Sequence, residues 1–355
     1  MRLPMSGSDV NYEEFNRMID YYMEAGFSYF DTAHGYLGGK SETAVRDCLA
    51  ARYPRESYTL TNKLSVHFFE RESDIRPLFE QQLKATGVEY FDYYLMHAQD
   101  ENIYRHFMKC NAYQVVQKLK EEGKIRHMGI SFHDKADVLD MILKEHPEIE
   151  IVQIQFNYMD YESPSVESRK VYEVCRKYGK PVLVMEPVKG GGLARLPEEA
   201  KRELEDLGTG ESPAAYAVRF AASFDGVFKV LSGMSDMEQM KDNVSVMKAF
   251  RPFKEEEYKA VKRVCEILNT MDTIPCTACR YCTDGCPKHI QIPDLFGCFN
   301  AKKQFGDWNS DYYYGVHTKN NGRASDCIRC GQCEKICPQH LPVIEYLKET
   351  AKVFE

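Results

Sequence analysis

Two sets of residues in this chain have the types and spacing to do chemistry. Cys276, Cys279, Cys282 and Cys286 stand at C-x₂-C-x₂-C-x₃-C with Pro287 next, and Cys327, Cys330, Cys333 and Cys337 repeat that spacing with Pro338 next. So tight a loop lets three consecutive thiolates reach three corners of one iron–sulfur cubane, and the proline breaks the chain after the fourth. Zinc also takes four thiolates and is the alternative, although its sites usually pair two C-x₂-C knuckles across a longer loop. The second set is spread over successive apolar runs. Asp31 ends the aromatic run Phe27-Ser28-Tyr29-Phe30, and a short polar loop then presents Tyr36; Lys63 ends YTLTNK and His97 ends FDYYLMH. A carboxylate, a phenol, an ammonium and an imidazole gathered at strand ends are groups for proton transfer. Each alone has a plainer reading: a loop or helix-capping Asp, a solvated Lys, a hydrogen-bonded core His.

The elements that must position these groups follow from periodicity. From about Asn11 to Phe250, helix patterns alternate with short apolar strands. The spacing predicts helices over Asn11–Glu24 (capped by Ser8 or Asp9), Ser41–Arg52, Glu72–Thr86, Ala112–Glu122, Lys135–Glu145, Ser165–Tyr178, Ser212–Ser223 and Met237–Phe250. Between them it predicts strands ending at Asp31, then Tyr58–Asn62, Phe91–Met96, Ile125–Ile130, Ile151–Phe156, Val182–Met185 and Val227–Leu231. Strands alternating with helices imply parallel pairing through helical crossovers. The expected fold is therefore a (β/α)₈ barrel in residues 1–250, with a first strand that is short or missing because only Met1–Met5 precedes the first helix. A doubly wound open sheet is the alternative, but the glycine fingerprint it would carry after its first strand is absent. Residues 251–273 read as a bridging helix, and residues 274–355, rich in cysteine, glycine and tyrosine, as a small second domain ending in a helix from Pro342 to Phe354.

Composition limits the classes of function. The chain has 355 residues, 43% hydrophobic and 28% charged, with a formal net charge of −8, which argues against nucleic acid as partner. It contains neither an apolar run long enough to span a bilayer nor a secretory leader pattern. Cysteines clustered in two groups, rather than spread as a disulfide framework, indicate metal binding in a reducing cytoplasm. Cys298, between the groups, reads as a buried bystander.

Asp31, Tyr36, Lys63 and His97, in that order at successive strand ends, resemble the catalytic tetrad of the aldo/keto reductases. The whole chain resembles the branch of that family that carries a C-terminal ferredoxin-like domain. The resemblance implies a cytoplasmic oxidoreductase that reduces a small aldehyde or ketone, or oxidises the alcohol, with NADPH or NADH. In that chemistry Tyr36 supplies the proton for the developing alkoxide. Lys63 lowers the pKa of its phenol, ordinarily near 10; Asp31 holds Lys63, and His97 orients the carbonyl oxygen. Ser131, Gln155 and Asn157 resemble the residues that bind the nicotinamide carboxamide, and Ser232, Gly233, Ser235, Gln239 and Asn243 those that grip the adenosine end. Two positions depart from the pattern: Met185 stands where many relatives stack a tyrosine, and Ser235 where NADPH-preferring members often place an arginine. Lys241 or Lys189 could substitute for that arginine, and the glycines of MEPVKGGGLA could let backbone approach a pyrophosphate or simply form a turn.

The cysteine spacing is similarly that of bacterial two-cluster ferredoxins. It implies one [4Fe-4S] cluster on Cys276, Cys279, Cys282 and Cys337, and a second on Cys327, Cys330, Cys333 and Cys286. Nicotinamide moves two electrons as hydride while each cluster moves one. The clusters are thus expected either to relay electrons to a redox partner protein or to be structural. The rival reading is an electron-transfer protein whose barrel is an inactive docking scaffold.

Overall fold

Seven strands of this chain pair in parallel and in strict sequence order, so every connection is a crossover of the kind the alternating pattern demands. The computed structural model describes residues 2–163, 166–270, 273–276, 278–337 and 339–355. The expected helix start at Ser165, Met271 and Asp272 of the bridging segment, and Pro338 lie outside the described residues. The chain forms two compact units: Met1–Gln155, Val171–Pro187 and Ala221–Pro252 in the first; Phe156–Lys170, Val188–Phe220 and Phe253–Glu355 in the second.

The chain opens with a two-strand hairpin, β1 (Met5–Ser6) and β2 (Asp9–Val10), before helix α1 (Tyr12–Glu24). The expected caps Ser8 and Asp9 flank or form the hairpin's second strand, and Asn11 caps α1 instead, its side chain accepting from the Glu14 N–H at 3.1 Å. Next come β3 (Tyr29–Asp31), α2 (Lys40–Val45), β4 (Thr59–Leu64), α3 (Glu72–Thr86) and β5 (Phe91–Gln99). Gly87, with φ of 70°, closes α3 in the left-handed conformation that glycine adopts without strain. The polar stretch after β5 is a helix, α4 (Glu101–Lys109), not a loop. Asp100 caps it by accepting from the Asn102 and Ile103 N–H groups at 2.7 and 2.8 Å, and it buries only Tyr104 and Phe107, too thin a stripe to stand out among charges. The chain continues through α5 (Ala112–Glu121), β6 (Ile125–Phe132), α6 (Ala136–Glu145), β7 (Ile151–Gln155) and α7 (Ser168–Lys177). It then forms β8 (Val182–Met185), α8 (Glu198–Glu205), α9 (Pro213–Ala222), β9 (Val227–Val230) and α10 (Met237–Lys248).

Strands β3 to β9 form a parallel half-barrel. Its curl is visible in side chains that cross the interior. Tyr29 of β3, Leu95 of β5, Ile151 of β7 and Leu183 of β8 share one buried cluster, and the Tyr29 ring meets Phe228 of β9 edge-on at 6.4 Å. The first-strand position adds no strand to this sheet among the described residues. Arg2 to Pro4 run as irregular chain with Leu3 buried, and the Arg2 side chain packs within 3.2 Å of where a Gly233 side chain would start.

In the second unit, α11 (Glu255–Thr270) occupies the expected bridging stretch. Its Glu257 meets the buried guanidinium of Arg219 in a two-pronged pair at 2.8 and 3.0 Å. After the short α12 (Tyr281–Asp284), the stretch between the cysteine groups forms two helices, α13 (Ile292–Phe305) and α14 (Asn309–Thr318). Helix α15 (Gln332–Ile336) follows, and α16 (Val343–Phe354) ends the chain. Leu295, Phe296, Phe299, Tyr313, Tyr314 and Leu347 build one core, which includes Cys298 as expected, with Cys276, Cys282, Cys286, Cys327 and Cys337 packed against it. Trp308, by contrast, is 58% exposed.

Candidate active site and cysteine-lined centre

Parallel register explains why the four proton-transfer residues meet. Asp31 pairs with Thr61 and Thr61 with Tyr93, so these three lie level; Lys63, paired with Leu95, stands two residues further along β4 than the position beside Asp31 and so faces the same way as Thr61. The Lys63 ammonium, wholly buried, donates to Asp31 Oδ1 at 2.5 Å and to the Thr32 carbonyl at 2.8 Å. It also stands 4.9 Å from the centre of the Tyr36 ring. The Tyr36 hydroxyl lies 3.4 Å from His97 Nε2, and the two rings meet edge-on. The structure thus brings Asp31, Tyr36, Lys63 and His97 together.

Several partners of these residues escaped the sequence reading. Ser65, two residues beyond Lys63, lies 2.6 Å from His97 Nδ1, so both imidazole nitrogens have a hydroxyl partner. His97 itself falls inside β5, which runs three residues further than expected. The ladder is irregular between Met96 and Gln99, and Ala98 takes a φ of 55°, which costs energy for a residue with a side chain. Ser131 Oγ accepts from the Ala98 N–H at 2.7 Å and so holds this bulge. Gln153 of β7 reaches Asp31 Oδ2 at 3.4 Å. Beneath them, buried Glu42 accepts from Asn62 Nδ2 at 2.8 Å and lies 2.7 Å from His34 Nδ1, tying the loop before Tyr36 to β4. The repeating polar positions 61, 63, 65 and 153, 155 on strand faces were the available signal.

The electrostatics differ from the expectation in one respect. Burial drives the Tyr36 pKa up; Lys63 pulls it back, as expected, but Asp31 and Glu186 oppose that pull and the net shift is upward. Burial also acts to neutralise Lys63, yet Asp31 and then Tyr36 outweigh it and keep the ammonium charged. His97 is held well below the ordinary histidine value by burial, with Lys63 adding to it, so it is neutral at physiological pH.

The expected nucleotide residues divide between the two units. In the first, Asn243 Nδ2 donates to Ser232 Oγ at 2.8 Å and the Ser235 N–H donates to Gln239 Oε1 at 2.9 Å, both around the start of α10. Gly233 joins them against Arg2. Two carboxylates already occupy amides there: Asp236 accepts from the Gln239 N–H at 2.9 Å, and Glu14 from the Met237 N–H at 3.2 Å. Gln155 is buried beside its register partner Met185, the half-buried last residue of β8. In the second unit, Asn157 accepts from the Met159 and Asp160 N–H groups and donates to Asp160 Oδ2 at 2.7 Å, forming a tight turn. Lys189 does not stand in for a phosphate-binding arginine. It is buried between Asp160 at 2.5 Å and Asp307 at 3.3 Å, which outweigh burial and hold it charged. Of the following glycines Gly192 has a packing reason, since a side chain there would begin 2.6 Å from the Phe305 ring.

The two cysteine loops adopt one conformation twice. Ala278, Arg280 and His289 have φ of 54°, 64° and 52°, and their counterparts Arg329, Gly331 and His340 have 58°, 73° and 52°. Five of these six are not glycine, a backbone strain that repeats in register with the thiols and that free loops would relax. One pocket is lined by Cys286, Cys327, Cys330 and Cys333, drawing one thiol from the first group and three from the second. On the other side, burial raises the Cys276 thiol pKa and the neighbouring Cys279 and Cys337 raise it further. Burial pushes Cys282 up to about 12 and Cys333 up to about 11, in each case with other cysteines of the groups adding. Thiols that crowd and resist ionisation suit a multiply positive core that stabilises all of them as thiolates. Among the described residues, no three Cys, His, Asp or Glu side chains converge tightly enough for a single ion. A cubane spreads its four irons, and so its ligands, further apart.

Comparison with known proteins agrees with both halves. The aldo/keto reductase family model matches residues 1–266, and the 4Fe-4S dicluster domain model matches residues 275–342. The chain is 24% identical over 272 residues to the uncharacterized oxidoreductase YqkF of Bacillus subtilis, covering 69% of this chain and 85% of that one. It is 25% identical over 277 residues to human aldo-keto reductase family 1 member C1, covering 67% and 79%. Among solved structures it resembles the holo form of the aldo-keto reductase AKR11C1 from Bacillus halodurans, with TM-score 0.57, 24% identity and coverage of 74% and 91%. An aldo-keto reductase from Klebsiella pneumoniae in complex with NADPH superposes with TM-score 0.58 at 17% identity, covering 73% and 86%. An oxidoreductase barrel in its first three quarters and a dicluster domain after it, the chain belongs to the aldo/keto reductase family.

Proposed function

We propose that this protein reduces a small aldehyde or ketone, or oxidises the corresponding alcohol, with a nicotinamide nucleotide, and that Tyr36 is the proton donor. The observation that carries the reading is the Lys63 ammonium, ion-paired to Asp31 at 2.5 Å and set under the Tyr36 ring, with His97 Nε2 3.4 Å from the phenol. A bound nicotinamide would supply the hydride. Tyr36 keeps its proton through neutral pH because burial raises its pKa. It gives up that proton to the carbonyl oxygen as negative charge develops there. Lys63 then stabilises the phenolate, and Asp31 prevents Lys63 from turning away. Neutral His97, held through Ser65, orients the carbonyl oxygen without placing a second positive charge against Lys63.

The donors around α10 suit the adenosine end of a nucleotide, but the carboxylates of Asp236 and Glu14 would face a 2′-phosphate there. NADH is therefore the preferred form in this reading, with NADPH the weaker ligand. Ser131 acts chiefly through the Ala98 bulge. Cys276, Cys279, Cys282 and Cys337 hold one [4Fe-4S] cluster, and Cys286, Cys327, Cys330 and Cys333 the other. Bound clusters would supply one-electron transfer, in exchange with a partner protein. Such a protein works in a reducing cytoplasm.

The test is Tyr36→Phe in cluster-loaded protein. Carbonyl reduction should fall about 10²–10⁴-fold, the usual contribution of a positioned general acid, with cluster absorbance unchanged. Full turnover by that variant would sink the assignment. Met185, in place of a stacking tyrosine, favours the second reading, an electron-transfer protein with an inactive barrel. In that case Tyr36→Phe leaves function untouched and Cys279→Ser abolishes it.

A further inference from the structure

The second unit carries a surface that the reductase chemistry does not use. The pocket of Cys286, Cys327, Cys330 and Cys333 is also lined by Lys288 and Ile328, and Cys330 itself is exposed. Ile328 is 56% exposed and Ile336, the residue before Cys337, 54%. Large aliphatic side chains held in water beside ligand-spaced thiols are unusual for a surface with no partner. Lys288 lines the pocket, Arg329 follows Ile328 and Lys335 precedes Ile336 in the chain, and all three cations are exposed. Of the acids nearby, Glu334 accepts from the Ile344 N–H at 2.9 Å and Asp326 from the Arg323 N–H at 2.8 Å, while Glu345, close enough to Arg329 to feel its charge, pairs with Lys348 at 3.0 Å. A chain with a formal net charge of −8 thus presents three exposed cations and two exposed isoleucines beside these thiols.

We propose that this face docks an acidic one-electron carrier protein, and that Lys288, Arg329 and Lys335 steer it while Ile328 and Ile336 form the dry contact. The proposal rests on the cluster assignment above and names the partner's chemistry. The carrier's acidic rim pairs with the three cations, which sets encounter rate and orientation, and a small apolar centre excludes water without making the complex long-lived. A cluster held by Cys286, Cys327, Cys330 and Cys333 would exchange one electron with the carrier's centre, and exposed Cys330 would bring it to the surface. No bond forms or breaks and no proton moves, so the exchange is complete in itself.

The experiment uses the full chain purified anaerobically, with iron content measured first. It is titrated with an acidic ferredoxin and an acidic flavodoxin at low and high ionic strength. The wild type should bind at least one carrier at low salt and lose affinity steeply as salt rises. The charge reversal K288E/R329E/K335E should weaken binding at least tenfold and remove the salt dependence. Ile328→Gln should weaken it with the salt dependence kept. Iron content and nucleotide binding should match wild type in both, and Lys262→Glu on α11 should change nothing. Absence of binding to either carrier at low salt, or equal binding by the triple reversal, would overturn the docking proposal while leaving the cluster assignment standing. Iron-free wild-type protein would overturn both.

Discussion

The chemistry of Tyr36 is decided by competition at a few atoms. Burial raises its pKa, Lys63 lowers it, and burial prevails, so the phenol is a proton reservoir rather than a standing phenolate. The sequence revealed the four groups and their order but not this balance, because desolvation depends on walls supplied by distant strands. Glu186 was missed for the same reason, since it acts on Tyr36 through space with no spacing of its own to mark it, whereas Ser65 and Gln153 had only the alternation of polar positions to betray them. Histidine burial gives a prediction at this scale. Burial first, and then Lys63, lower the His133 pKa to about 4 from an ordinary 6.5. Its folded-state value is depressed, so the unfolded chain takes up the proton first as pH falls. The stability from neutral His133 is present above pH 6.5 and is lost between 6.5 and about 4, roughly 3 kcal/mol for a shift of that size. Chemical denaturation of wild type against His133→Gln across that range should show a shallower acid limb in the variant. Parallel curves would contradict the assignment.

At the scale of elements, most of the half-barrel was legible because parallel strands are buried on both faces and read as apolar runs. Helix α3 and strand β8 fall where the pattern put them. Strand β5 ran past its expected end because the bulge between Met96 and Gln99, with Ala98 at positive φ, breaks the period there. Helices α4 and α8 were hidden by their charge, as each buries only two side chains. The run Lys189–Ala194 looked like a phosphate loop, but its lysine is locked by two aspartates and Gly192 makes room for Phe305. Helix α10 carries the nucleotide prediction. Asp236 caps it and faces the region where a 2′-phosphate would sit in the proposed complex. Asp236→Asn keeps an N-cap acceptor while removing the charge. It should tighten NADPH at least fivefold relative to NADH, read as the ratio of dissociation constants from nucleotide fluorescence. An unchanged ratio would place the 2′-phosphate elsewhere.

For the whole molecule, the sequence separated a strand–helix region from a cysteine-rich one. The compact units instead interleave, with residues 156–170 and 188–220 grouping with the C-terminal stretch. Such long-range grouping leaves no mark in local pattern, since apolar positions in α8 and α9 look alike whichever core they join. The cluster loops were the most legible feature of all, because ligand spacing is covalent and the two copies repeat both in letters and in backbone angles. No helix among the described residues is long and apolar enough to cross a membrane. The proposed protein joins two chemistries: a barrel that binds nicotinamide nucleotide and reduces a carbonyl, in a chain whose cysteines would hold clusters. Its most direct test is an anaerobic titration of the cluster-loaded protein with NADH and with NADPH, following nucleotide fluorescence. Saturable binding of both, with NADH the tighter, is the predicted result. Failure to bind either nucleotide in protein with full iron content would contradict the account and leave the barrel a scaffold for electron transfer.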